Sequence, residues 1–156
     1  MKRSNWQFVL TLAVCTLLPA MAAQAKDPVP RPFQMQAQTQ QVWQLDPVTG
    51  APVQLLSAEG WGVATHCGLF YTASSGPPSP EGVLEGFITS ANEDQIFWAG
   101  LLTDPHLTIT GGTGRFAGAT GEFTYTILST EVVAVDPVAG TMTIRLTWTA
   151  SGTITY

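Results

Sequence analysis

Cysteine, basic residues and histidine are all scarce in this chain of 156 residues, and each scarcity removes a class of function. The two cysteines are Cys15 and Cys67. Cys15 lies in an amino-terminal segment that reads as a removable leader, so Cys67 is left alone and no intrachain disulfide can staple the fold. Burial statistics favour reading Cys67 as a small apolar core residue, the alternative being a thiol open to an intermolecular bridge. Six Lys and Arg stand against eleven Asp and Glu. Phosphate neutralisation needs clustered cations, so nucleic acid is disfavoured as a partner, and anionic membranes should repel the chain. The acids are spread rather than blocked, which suits solubility more than a specific acidic function.

His66 and His106 are the only histidines, and neither has a carboxylate at metal-ligand spacing, so no metal site and no cofactor is expected. His66 and Cys67 are neighbours; on one strand they would face opposite sides, which excludes a local base and nucleophile pair. Beyond the amino terminus no stretch shows a convincing helical period.

That terminus reads as a secretory signal peptide over 1–25. Lys2 and Arg3 precede an apolar run of 11 residues, Phe8 to Leu18, and Ala23-Gln24-Ala25 has the small-x-small pattern of a cleavage site. The run is too short for a membrane span and Pro19 closes it. Val14 before Cys15 is too bulky for lipoprotein processing. Export to the periplasm or the extracellular space is therefore expected. Removing residues 1–25 leaves 131 residues with Lys26, Arg31, Arg115 and Arg145 against all eleven acids, a formal charge of −7. That length suits one domain.

After an extended leader over 26–32, the remainder, 33–156, reads as a single all-β domain. Phe33-Gln34-Met35-Gln36-Ala37-Gln38-Thr39-Gln40 alternates at the strand period with its glutamines toward water. Further strands are predicted near 42–45, 53–57, 62–73, 82–90, 95–102, 107–110, 120–134 and 141–155. Asp46-Pro47-Val48-Thr49-Gly50 and Asp136-Pro137-Val138-Ala139-Gly140 are near-identical hairpin turns, Pro pre-setting the bend and Gly able to close it. Regular strand and turn spacing suggests a barrel or a sandwich, and closure would remove exposed edges from a thinly charged chain. An antiparallel barrel of about eight strands has an interior just filled by side chains or holding one small ligand.

The segment from Gly111 to Gly121 is glycine-rich and lies between two β segments. Gly112-Thr113-Gly114-Arg115-Phe116-Ala117 formally fits G-x-G-x-x-A, but a dinucleotide site needs a helix next, and Glu122-Phe123-Thr124-Tyr125-Thr126-Ile127 alternates as a strand. No Lys follows at P-loop spacing. Instead Gly111, Gly112, Thr113, Gly114, Phe116, Ala119 and Gly121 resemble the G-G-T/S-G-x-F-x-x-A/V-x-G segment of the small β-barrels of the allene oxide cyclase and dirigent type. Thr65-His66-Cys67-Gly68-Leu69-Phe70 is similar to the T-H-x-G-x-F strand of exported bacterial relatives. Ala91-Asn92-Glu93-Asp94-Gln95 is similar to their A-N-G-D-Q hairpin, with Glu93 in place of glycine. The resemblance implies a tight glycine turn feeding a long barrel strand, frequent dimers or trimers, and cyclase or stereochemistry-directing chemistry. Thr120 stands where plant dirigent proteins usually carry Arg, a departure that weighs against phenoxy-radical coupling.

No catalytic residue is assigned. His66, Phe70, Phe97, Arg115, Phe123 and Tyr125 are the candidate ligand-binding residues, with Arg115 read also as a turn residue paired to a nearby carboxylate. Glu59, Glu85, Asp94 and Glu122 are the carboxylates near the resembled segments; one buried in a barrel would have a raised pKa and general acid or base capacity. Aromatic residues are plentiful, and some of them are candidates to line an apolar cavity. In Phe70-Tyr71 and Phe97-Trp98 one ring of each pair should face outward and mark a candidate subunit contact. Three functions remain open. The first, preferred, is a small apolar molecule bound in the lumen. The second is a cyclase or isomerase, which requires an inward carboxylate, Arg or His. The third is a ligand-free interaction module.

Overall fold

The computed structural model describes residues 29–76 and 82–156, so the expected leader at 1–25 and residues 26–28 of the extended segment lie outside the described residues. The chain forms β1 (Arg31–Leu45), β2 (Pro52–Ala64), β3 (Gly68–Ser75), β4 (Val83–Ser90), β5 (Gln95–Leu101), β6 (His106–Gly112), β7 (Thr120–Asp136) and β8 (Thr141–Thr155). Each is antiparallel to the next, and β8 pairs back onto β1 to close an eight-stranded barrel. This is the all-β architecture expected from the sequence. Along β1 the alternation dictates the faces: Phe33, Met35, Ala37 and Thr39 are buried, and Gln34, Gln36, Gln38 and Gln40 are exposed. Phe70 and Trp98 turn inward and their neighbours Tyr71 and Phe97 outward, one ring of each pair on each face.

Three local expectations change. The segments predicted near 33–40 and 42–45 are one strand, because Gln41 in the polar gap between them pairs on both sides, with Ala58 of β2 and Ile144 of β8. The segment near 53–57 runs on to Ala64. Its glycines are not breaks; Gly62 makes room for a neighbouring side chain, since a Cβ there would come within 2.7 Å of the Phe70 ring. The predicted strand at 62–73 is two strands divided by a turn, so the Thr65–Phe70 segment is a hairpin bend followed by a strand. His66 takes a positive φ of 70° there, and Thr65 N–H donates to Gln34 O at 2.9 Å. His66 and Cys67 thus share a turn rather than a strand.

The two repeated turns use the same chemistry. Asp46 Oδ1 accepts from the backbone N–H groups of Val48 (2.9 Å) and Thr49 (2.7 Å), and Asp136 Oδ1 from those of Val138 (2.9 Å) and Ala139 (3.0 Å). The Thr49 and Val48 amides hold the Asp46 carboxyl below its ordinary pKa.

Connections 65–67, 91–94 and 113–119 lie at one end of the barrel, and 46–51, 102–105 and 137–140 at the other. The first end is closed by the glycine segment. Thr113 N–H donates to Gln95 O at 2.8 Å, a single 3-10 turn follows over Gly114–Phe116, and Phe116 is fully buried with its ring edge-on to Tyr156 at 5.0 Å. Gly114 has φ +55°, and a Cβ there would collide with the Asp94 carboxylate. Arg31 stacks over Tyr156 at 4.5 Å from below. In the adjacent 91–94 turn Glu93 itself adopts φ +69°, the conformation for which the resembled families keep glycine.

Phe116→Ala should cost about 3–5 kcal/mol by opening a cavity under the plug, read as a lowered urea midpoint. Glu93→Gly should instead raise that midpoint, by ~0.5–1 kcal/mol, by relieving the left-handed backbone.

Candidate functional site

The barrel is filled at its closed end and hollow at the other, and the change can be followed strand by strand. On β1, Phe33, Met35 and Ala37 fill the interior, whereas Thr39, Gln41 and Trp43 line open space. On β3, Phe70 fills, and Thr72 and Ser74 line. On β8, Ile154 and Ala150 fill, and Trp148 and Leu146 line. On β7, Phe123 sits at the junction, edge-on to Phe33 at 5.9 Å below and to Trp98 at 6.4 Å beside it, with Tyr125 and Ile127 above. Leu55, Ala58, Leu84, Ile88, Leu102 and Leu107 complete the wall around a cavity of about 210 Å3. Two depressions of about 640 and 540 Å3 are larger; the first shares Ala58, Ser74 and Trp98 with the cavity wall, and the second includes the outward residues Gln34, Gln36 and Val63.

No Asp, Glu, Lys, Arg or His is among the described residues that line the cavity. Its polar groups are the hydroxyls of Thr39, Thr72, Ser74 and Tyr125, the Gln41 amide and the indole N–H groups. Several are spent within the wall. Trp148 Nε1 donates to Thr39 Oγ1 at 3.3 Å, Trp43 Nε1 to Gln41 Oε1 at 3.0 Å, and Thr72 Oγ1 to Phe87 O at 2.8 Å. Burial, and next to it the charge of Asp104, raises the Tyr125 pKa, so the phenol stays neutral and available as a hydrogen-bond donor. Such a wall can bind, orient and exclude water. Among the described residues it presents none of the carboxylate, Arg or His side chains that the cyclase reading requires.

Of the six residues singled out in the sequence, Phe123 and Tyr125 line this cavity. The other four stand elsewhere. His66 is on the closed-end turn, its Nε2 3.0 Å from Pro32 O and its ring edge-on to Tyr156. Phe70 is buried in the filled half, because it lies too near the closed end of β3. Phe97 occupies an outward position paired with Phe87. Arg115 turns away from the lumen, with Nε 3.4 Å from Asp94 Oδ2 and Nη2 3.2 Å from Asn92 Oδ1, its guanidinium over Phe116. Burial pushes the Cys67 thiol up to about 11, so it is protonated and inert at neutral pH. Trp43, Trp98 and Trp148, aromatics that the sequence left undivided between cavity wall and core, stand in the wall, and Gln41 is a wall residue that the sequence did not single out. Trp43 is an inward residue near the open end of β1, and Trp98 and Trp148 are the inward residues at the middle of β5 and β8. Glu122 pairs with His106 at 3.2 Å and Glu59 accepts from the Tyr71 hydroxyl at 3.0 Å, both on the outer surface.

No family profile matches the sequence, and no curated protein does. Solved structures do show similarity. The pterocarpan synthase dirigent protein GePTS1 is similar at 13% identity and a TM-score of 0.45, covering 85% of this chain and 88% of its own. The pterocarpan synthase dirigent protein PsPTS1 is similar at 11% identity and a TM-score of 0.39, covering 80% and 95%. Pyocyanin demethylase is similar at 19% identity and a TM-score of 0.38, covering 77% and 99%. Dirigent proteins are thus among the structural neighbours, as they are among the families that the glycine segment resembles. The likeness is one of fold.

Because the folded state favours the protonated Tyr125, its contribution to stability is fully present below the ordinary tyrosine value of about 10 and is lost as pH rises through the higher folded value. Tyr125→Phe should flatten this alkaline loss, measured as urea midpoints from neutral pH upward, and should remove one late-titrating phenol from the ultraviolet titration.

Proposed function

We propose that this chain is an exported barrel that binds one small, neutral, largely apolar molecule in the open half of its lumen. The observation that carries the reading is the split interior, tightly filled at one end and hollow at the other, with three indoles, Phe123 and aliphatic side chains around the hollow. A protein that needed only a core would fill both halves, since close packing is the favourable state of an apolar interior. The volume of about 210 Å3 lies below the ~300–1,000 Å3 of drug-sized sites, which limits the occupant to a compact molecule. A charged occupant is disfavoured, because the described wall residues carry no counter-charge and burying a lone ion is expensive. Tyr125 and Gln41 supply the polar contacts that would orient it.

Export follows from the amino-terminal pattern, with processing after Ala25. The test serves both parts. Native mass spectrometry of the chain recovered from the exported fraction of its producing organism should show a subunit beginning at Lys26 and a discrete added mass on it. Leu146→Trp, which sends an indole into the cavity, should remove the added mass with the circular dichroism unchanged, a loss of at least about tenfold in affinity. A bare subunit in the wild type, or an adduct that survives Leu146→Trp, would overturn the reading.

A further inference from the structure

Closure leaves one long strand edge uncovered. β6 spans only His106–Gly112 and pairs with β7 from Gly121 to Thr124, and Tyr125 N–H still reaches Pro105 O at 3.1 Å. From Thr126 to Asp136, among the described residues, β7 pairs with β8 alone. At about 3.4 Å per residue this edge is about 37 Å long. It is the outer edge, or arm, of a four-stranded flap, β2–β1–β8–β7, in which β8 stays paired with β1 as far as Thr141 opposite Gln44. Unpaired backbone along such an edge is a template for another strand, and proteins usually block it with Lys, Pro or inward charge. Here no Lys or Pro lies between Thr126 and Asp136. Bulges at Leu128 and Val133 curve the arm, but Ser129–Val132 keep unbroken register with Ile144–Thr147. Ile127, Leu128, Val132, Val133 and Val135 are 42–58% exposed, five large apolar side chains within the unpaired stretch of one strand.

We infer that β7 from Thr126 to Asp136 is a strand-addition site for a second copy of this chain, the two arms pairing antiparallel about a two-fold axis. Charge selects that occupant. The whole chain has a formal net charge of −5, so most faces of two copies repel. The arm is different: Glu131 pairs with Arg145 at 3.0 Å, and Asp136, which keeps its charge while accepting from its own turn amides, stands at the end of the strand, so an antiparallel pairing holds the two Asp136 side chains far apart. Two arms therefore meet without bringing uncompensated charge together. An antiparallel pairing of one strand with itself is also self-complementary, so both free edges are satisfied in one contact, as a two-fold interface requires. Ile127 belongs both to the free edge and to the cavity wall, so the second copy covers the rim of the mouth. The pairing does not depend on the cavity holding a ligand.

Sedimentation velocity of the exported chain tests it. A dimer is expected at about 0.1 mM, dissociating on dilution. Val133→Lys with Val135→Lys, or separately Thr130→Pro, should weaken the dimer at least about hundredfold, while Val63→Lys on the outer face of β2 should leave it intact. Hydrogen exchange should slow over residues 126–136 on raising the concentration of the wild type. A wild type monomeric at every concentration, a trimer, or a dimer that persists in the folded arm variants would overturn the inference.

Discussion

Everything in this protein depends on the ladder between its first and last strands. β1 pairs with β8 from Arg31 opposite Ile154 to Gln44 opposite Thr141, and without it the sheet would be an open strip with two long edges and no inside. With it, every inward side chain of eight strands is forced into one shared volume, and the backbone of β1 is satisfied on both sides. The ladder also extends to the open end. Leu45 N–H and the Gln44 amide both donate to Gly140 O at 2.8 Å, which ties the end of β1 to the β7–β8 turn.

Within that volume the two ends are treated differently. Phe33, Phe70, Ile96, Ile109, Phe116 and Ile154 crowd the closed end, where the glycine segment folds Phe116 in as a plug and Arg115 is held outside by Asp94. Toward the open end Thr39, Ala58, Thr72 and Ser74 bring small or polar side chains to the wall, among indoles and aliphatic side chains. The hollow is thus a consequence of side-chain volume. Its neutrality is a second feature: among the described residues the acids sit on turns and on the outer face, and Glu59, Glu122 and Asp94 are each occupied by a neighbour. A cavity of this kind recognises shape and apolar area first, with the neutral phenol of Tyr125 as its polar handle.

The same division accounts for what could be read in advance. Alternation in β1, the twin Asp-Pro turns and the alternating runs of β7 and β8 are local patterns, and they led to the right class and nearly the right strand limits. Where local reading failed, a distant partner was responsible. Gly60 looks like an interruption until the Gln38 backbone is seen against it, and Gln41 looks like a gap until β2 and β8 are seen on its two sides. Thr65–Phe70 alternates well enough for a strand, yet His66 takes a positive φ and turns the chain back so that Gly68 pairs with Ala64 of β2.

For the site, inward direction was legible and depth was not. Parity along a strand says that Phe70, Phe123 and Tyr125 face the lumen. It does not say how far each lies from the plug, which depends on strand stagger around the whole barrel. Phe70 therefore looked equivalent to Phe123 although one packs the floor and the other borders the cavity, and the wall indoles were not distinguished from core. The sequence alone determined the all-β class, the turns and the face of most strand residues, because these follow from neighbours two to four residues apart. Only the tertiary structure decided where the interior is full, where it is hollow and which edge is left free, because those are sums of volume and pairing over eight strands far apart in the chain.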